Sequence, residues 1–320
     1  MTGDAKDPLV TVICPTYNSR ATLQYALRSV LNQDFADFEV RVMGDACTDG
    51  TEEVIKQLND PRLHWFNLAE NSGHQFAPNN EGLRRARGKY VAFIGHDDLW
   101  FPWHLSRLVA HLEQTGADFA HDLVASAGTN GIEGVYGAPH AGAGYARIYF
   151  PASSWLHRRE LREEVGFWKT PKDLAWASDY DFTRRAAEAG KKFVFLPSLG
   201  VLKFHSRAWA FYSRTAEPPQ KNSLDSILEN PAQLHEKILT ELAAQYAQCS
   251  QWNEKKPLRL ALSETKLAAK DALKAGLREL TYLYGHDRWP LGPLLRRRMR
   301  RIRSRQRTER GLPPLTGDGL

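Results

Sequence analysis

The 320 residues are 42% hydrophobic, enough to bury a large core and to make one sizeable domain with an appendage. No stretch reaches the roughly 18 apolar residues of a membrane span, the opening residues lack the apolar centre of a secretory signal, and three scattered cysteines, Cys14, Cys47 and Cys249, give neither a CxxC metal site nor a disulfide framework. The net charge of +6 belongs to a tail: the run from Arg296 to Arg310 holds nine arginines and one glutamate, a local +8 that leaves the rest at −2, which argues against nucleic acid as a partner.

In chain order, residues 9–14 form an apolar run of buried-strand length that ends at Pro15. Ser19 is placed to cap a helix whose Leu23, Ala26, Leu27, Val30 and Leu31 recur at helical spacing. Phe38, Val40 and Val42 alternate as in a strand, Val54, Ile55 and Leu58 mark a helix, and residues 63–66 a third strand. Residues 76–87 read as a helix stopped by Gly88, followed by a buried strand at 90–94. This order predicts an α/β fold, a mostly parallel sheet with helices on both faces. The Gly- and Ala-rich stretch near 125–150 reads as loops and short strands at a mobile edge. Helices are expected over 158–165 and 179–189, and strands over 193–197 and 201–204. Beyond Pro218-Pro219 the pattern turns to long helices, 224–249 and 258–284. The expected organisation is a sheet domain over 1–217, a helical extension over 218–292 and a basic tail over 293–320.

Ligands of open parallel sheets bind beyond the carboxyl ends of the strands. Three places qualify: Pro15-Thr16-Tyr17-Asn18, the turn from Gly44 to Thr51, and Gly95-His96-Asp97-Asp98. Asp45 lies directly off a strand end, where a carboxylate accepts the N–H of a uracil-like base. Tyr17 either stacks on that base or packs as a core aromatic. Adjacent Asp97 and Asp98 repel unless compensated, and Mg²⁺ or Mn²⁺ bridging carboxylates and substrate phosphates is one compensation. Alternatively, Asp98 caps the helix near Pro102. Asp49 reads as a turn and helix cap. Asp179 and Asp181 open a helix, and their spacing points them in different directions, so one catalyses while the other supports, or both are caps. His205, at the end of the last strand, is either structural or a metal or phosphate contact. No GxGxxG follows the first strand, which disfavours a dinucleotide enzyme.

Taken together, these motifs resemble the family 2 glycosyltransferases with the GT-A fold, over about residues 8–205. The resemblance is carried by residues 12–18, by Asp45-Ala46-Cys47-Thr48-Asp49-Gly50-Thr51, Asn71-Ser72-Gly73, Asn80-Glu81-Gly82-Leu83, Gly95-His96-Asp97-Asp98 and Ser178-Asp179-Tyr180-Asp181-Phe182. It implies an inverting transferase that uses a nucleotide-sugar, UDP-sugar preferred, and a divalent cation. It further implies nucleotide contacts at Pro15, Thr16, Tyr17, Asp45 and Asp97, metal contacts at Asp97 and His205, and a base at Asp179, with His96, Asp98 and Asp181 supporting. The chain departs from the family pattern at Gly44, Gly95 and Ser178, where acids are usual, which keeps an inactive sugar-nucleotide-binding module as the alternative. The implied acceptor is a glycan or glycolipid. The implied location is the cytoplasm or the inner face of a membrane, with the arginine run either meeting anionic head groups or solvated.

Overall fold

In the computed structural model, residues 6–128, 131–139, 144–170, 174, 177–204 and 217–255 are described, with side chains as far as 247. Strand β1 (Val10–Thr16) is buried along its whole length, because helices cover both faces of the sheet. Its side chains alternate between two cores. Val10, Val12 and Cys14 face one cluster, and Ile13 faces the other. The same period of two divides β2 (Phe38–Gly44), whose Val40 and Val42 oppose Met43. It also divides β4 (Tyr90–Phe93), where Tyr90 and Ala92 oppose Val91 and Phe93.

Helices α1 (Arg20–Leu31), α2 (Thr51–Leu58) and α4 (His104–Thr115) send Leu23, Leu27, Ile55, Leu105 and Leu108 into the first core. Helices α3 (Phe76–Arg85) and α6 (Ser178–Glu188) send Leu83, Phe182 and Ala186 into the second. Among the described residues nine strands form one sheet in the order β3-β2-β1-β4-β8-β6-β9-β5, with β7 on β6. Strand β3 is Leu63–Asn67, β5 Leu99–Trp100, β6 Phe119–Gly128, β7 Gly131–Tyr136, β8 Trp155–Arg158 and β9 Phe193–Phe204. The first four neighbours run parallel, and their register aligns Thr16, Gly44 and Asn67 at one edge. The α/β architecture is the expected one. Strands β8, β7 and β5 join antiparallel, and β6 and β9 run parallel.

Several expected elements are redrawn. Residues 155–158 are a strand, since Tyr90 pairs with Arg158, and α5 (Leu161–Val165) starts later than the expected 158. The break expected at Pro197 is absent: β9 runs through it, and register shifts in β6 at His121 and Leu123 absorb the extra residues. The helix expected over 224–249 is two, α7 (Gln220–Glu229) and α8 (Pro231–Lys255), because Pro231 suits a first turn, where its missing N–H is no loss. Gly88 does not stop α3, whose chain turns extended at Ala86. It lets the backbone pass β1, where a Cβ would lie 2.5 Å from the Thr11 nitrogen.

The amino end of the sheet is closed around buried Glu39. Its carboxylate accepts Thr11 Oγ1 at 2.8 Å, Arg87 Nη2 at 3.0 Å and Arg41 Nη2 at 2.7 Å. Burial opposes its charge, but these donors outweigh it and hold the pKa below the usual carboxylate value. Helix α7 and the first turns of α8 bury Leu224, Ile227 and Ile238 against Leu99, Phe101 and Phe204. The chain divides into two compact units, Met1–Leu242 and Ala243–Leu320. Among the described residues no helix is long and apolar enough to cross a membrane. The expected helix over 258–284, His205 and the arginine run fall outside the described residues.

Candidate active site

The loops beyond β1, β2 and β3 are knitted together at the aligned strand ends. The Asp45 N–H donates to the Thr16 carbonyl at 2.9 Å. The Asn67 amide clasps Cys47, accepting its N–H at 2.8 Å and donating to its carbonyl at 3.0 Å. Asn18 Oδ1 accepts the Thr48 N–H at 2.8 Å. These bonds hold Asn18 and Ala46 at φ of 44° and 58°, the left-handed region. For Ala46 this costs about 1 kcal/mol, the kind of strain that a surrounding network sustains at functional loops. Gly44 leaves room for Trp65 and Asn67, which crowd the position a Cβ would take. Ser19 begins α1 without capping it; Asp49 does so from the neighbouring loop, accepting the Arg20 N–H at 3.0 Å.

Of the nucleoside candidates, Pro15 and Thr16 are buried and Tyr17 is half-buried. The Thr16 hydroxyl is buried with no protein partner among the described residues. A buried hydroxyl left in this state favours a polar ligand at the strand end. Asp45 is engaged by the chain itself: its carboxylate accepts the N–H groups of Ser72 at 2.9 Å and Gly73 at 3.1 Å, and the Asn71 amide at 3.2 Å. It thereby fixes the 71–73 loop against the strand ends.

Beyond β4, the two adjacent acids have separate duties. Asp98 is 0% exposed and caps no helix. It accepts Ser153 Oγ at 2.5 Å, the Phe204 N–H at 3.3 Å and the Lys203 ammonium at 2.8 Å. Burial works against the Lys203 charge, but Asp98 and then Asp97 overcome it and raise its pKa above the usual lysine value. Gly95 leaves room for both carboxylates, since a Cβ would come within 2.9 Å of Asp97 Oδ1 and Asp98 Oδ2 and one of them would have to shift. The Asp97 carbonyl accepts Gln220 Nε2 at 3.1 Å, and His96 Nδ1 lies 3.4 Å from the Pro15 carbonyl oxygen. Cys14 lies beneath, its thiol pKa pushed up by burial and by Asp97 and Asp98.

Asp179 and Asp181 point apart, as their spacing requires. Asp181 pairs with Arg185 at 2.8 Å and Arg184 at 3.5 Å. Asp179 is 6% exposed; it accepts the Tyr180 N–H at 2.9 Å and the Tyr149 hydroxyl at 3.2 Å. Burial raises its pKa, while these two donors and Lys203 pull it back. A raised carboxylate is a better proton acceptor at neutral pH than an ordinary one. Lys203 bonds Asp98, and its charge also bears on Asp97 and Asp179. Asp45 lies two strands away along the same edge. Sequence reasoning missed Lys203, Tyr149 and Ser153. A buried carboxylate demands a cation, but only the pairing of β9 with β5 reveals that the cation is Lys203.

Comparison with known proteins gives the family and the fold. A family model described as "Glycosyl transferase family 2" matches residues 11–187. The putative teichuronic acid biosynthesis glycosyltransferase TuaG of Bacillus subtilis is 37% identical over 127 residues, 38% of this chain and 50% of that protein. The UDP-Glc:alpha-D-GlcNAc-diphosphoundecaprenol beta-1,3-glucosyltransferase WfgD of Escherichia coli is 29% identical over 133 residues, 42% of this chain and 52% of that protein. The chain thus spans about half the length of these relatives. The S. aureus TarS structure in complex with UDP-GlcNAc superposes with a TM-score of 0.53 at 24% identity, covering 61% of this chain and 58% of that one, a likeness of fold. The chain belongs to glycosyl transferase family 2.

Proposed function

We propose that the chain transfers a sugar from a UDP-sugar to a hydroxyl of a glycan or lipid-linked glycan, with inversion at the anomeric carbon. The observation that carries this reading is Asp179: a buried carboxylate of raised pKa that shares the field of Lys203 with the acids beyond β4. In a single displacement the acceptor oxygen bonds to the anomeric carbon as the bond to the UDP oxygen breaks. Asp179 takes the acceptor proton, a contribution of about 10² to 10⁴ in rate. Thr16, with its unsatisfied hydroxyl, and the loops fixed by Asp45 and Asn67 bind the nucleoside. Pro15 and Tyr17, at the same strand end, contribute to the same nucleoside contact in this reading. The donor and acceptor in the name of WfgD supply the choice of UDP and of a lipid-linked acceptor.

Among the described residues no three His, Cys, Asp or Glu side chains form a metal cage, and Asp98 is committed to Lys203. A Mg²⁺ or Mn²⁺ ion with few protein ligands still fits, because such ions are commonly held by one carboxylate and substrate phosphates. Asp97 is that carboxylate in this reading, with His205 a further ligand. Bound there, the ion would supply charge neutralisation to the departing diphosphate. A lipid-linked acceptor would bring the chain to a membrane surface, where the arginine run meets anionic head groups.

The test is thermal stabilisation of the full chain by a panel of nucleotide-sugars with Mn²⁺ present. A UDP-sugar at 100 times its Kd stabilises by about 2.7 kcal/mol. A panel in which GDP-, ADP- and UDP-sugars all leave the melting point unchanged refutes the donor site.

A further inference from the structure

The segment from 144 to 150 crosses the start of α6 and is pinned there. A short 3₁₀ turn, Tyr145–Arg147, is held because the Tyr180 hydroxyl donates to the Ala146 carbonyl at 2.8 Å. Ile148 and Phe150 are buried in the second core, where Phe150 stacks on His121 and meets Phe119 edge-on. Extended backbone turns every second side chain the other way, so Tyr149 between them faces outward. It is 46% exposed, one of the few large apolar groups on the described surface to be so. Its position is fixed from both sides. Its hydroxyl reaches the otherwise buried Asp179 carboxylate at 3.2 Å. An exposed, rigidly held aromatic ring thus adjoins the buried proton acceptor.

Resting on the assignment of Asp179 as the base, we propose that Tyr149 forms the acceptor subsite: its ring receives one face of a pyranose, and its hydroxyl fixes the Asp179 carboxylate toward the sugar's reacting hydroxyl. The face of an aromatic ring carries negative potential, and the axial C–H groups of a pyranose offer a complementary apolar, electropositive face. Burial and the neighbouring Asp179 charge raise the Tyr149 phenol above the usual tyrosine value, so it stays protonated at neutral pH and donates to the carboxylate. With Tyr180 N–H on one carboxylate oxygen and Tyr149 on the other, the group cannot rotate freely. Each oxygen keeps a lone pair for the acceptor proton. The ligand class is a neutral pyranose, and Tyr149 is a positioning residue, with Asp179 doing the proton transfer.

The experiment uses the full chain and three probes, the methyl pyranosides of glucose, galactose and N-acetylglucosamine, followed by saturation-transfer NMR with UDP present. Wild type and Y149F are expected to bind at least one probe alike, whereas Y149A weakens it by at least about fivefold. Melting-point stabilisation by UDP should be unchanged in Y149A, which shows that the fold and donor side remain. In transfer assays with UDP-glucose, Y149F should lower kcat by about tenfold with the glycoside KM unchanged, because it removes only the bond that orients the base. Equal glycoside affinity in Y149A and wild type overturns the subsite, as does a wild type that binds none of the probes. Wild-type kcat in Y149F overturns the positioning role. If D179N keeps full turnover while Y149A still loses the glycoside, the base assignment has failed and the subsite stands.

Discussion

Removing the Lys203 ammonium tests the electrostatic core of the site. In K203M the aliphatic stem is kept and the charge is lost, so Asp98 remains 0% exposed with Ser153 Oγ and the Phe204 N–H as partners. Deleting one member of a buried ion pair costs about 3–5 kcal/mol, because the other charge is left uncompensated. The Lys203 side chain is 21% exposed, so water relieves part of that cost, and the lower end, about 3 kcal/mol, is expected. At 2–4 °C per kcal/mol for a unit of this size, the melting point falls by roughly 6–12 °C. Circular dichroism melts at pH 7 on wild type, K203M, D98N and K203M/D98N complete a double-mutant cycle. The double variant should recover much of the loss, since it removes both charges. A K203M melting point within about 2 °C of wild type means that Asp98 is not held by this lysine, and the link between the acids fails. K203M also removes a contribution that lowers the Asp179 pKa, so the acid limb of the pH–rate profile should move to higher pH.

Three further outcomes follow. The raised Asp179 pKa means that stability is lost as pH rises from the unfolded pKa, about 3.9, through the folded value, so D179N should melt higher than wild type at pH 7 and no higher well below that unfolded value, where both states are protonated; equal melting points at pH 7 contradict the burial argument. Glu39 has the opposite sign: its lowered pKa gives stability above the unfolded value that is lost as pH falls through the folded one, and E39Q should flatten the acid side of the stability curve. D97A should abolish the Mn²⁺ dependence of UDP binding in calorimetry; the same affinity with and without Mn²⁺ in wild type refutes the metal role of Asp97.

The parallel half of the fold was legible because its strands are covered on both faces, so Val10 to Cys14 reads as a largely apolar run with only Thr11 polar. The strand-end rule then located Thr16, Asp45 and Asp97 without tertiary information. What was not legible depends on pairing between distant segments. Lys203 sits in an apolar strand with no local sign that a buried carboxylate waits beside it. Tyr149 lies next to a glycine- and alanine-rich stretch that reads as loop, and only the anchoring of Ile148 and Phe150 shows why its ring is presented. Proline misled in two ways: at Pro197 the partner strand's irregular register accommodates it, and at Pro231 it begins a new helix rather than lying inside an old one. Asp45 was found by position, but its bonds to the 71–73 loop follow from geometry that spacing does not encode.

The most direct test of the account is UDP release from a UDP-sugar, followed in wild type and D179N beside calorimetric UDP binding to both. The expected result is turnover by wild type, a fall of about 10² to 10⁴ in D179N and the same UDP affinity in each. Turnover in D179N at the wild-type rate would contradict the claim that this carboxylate takes the acceptor's proton.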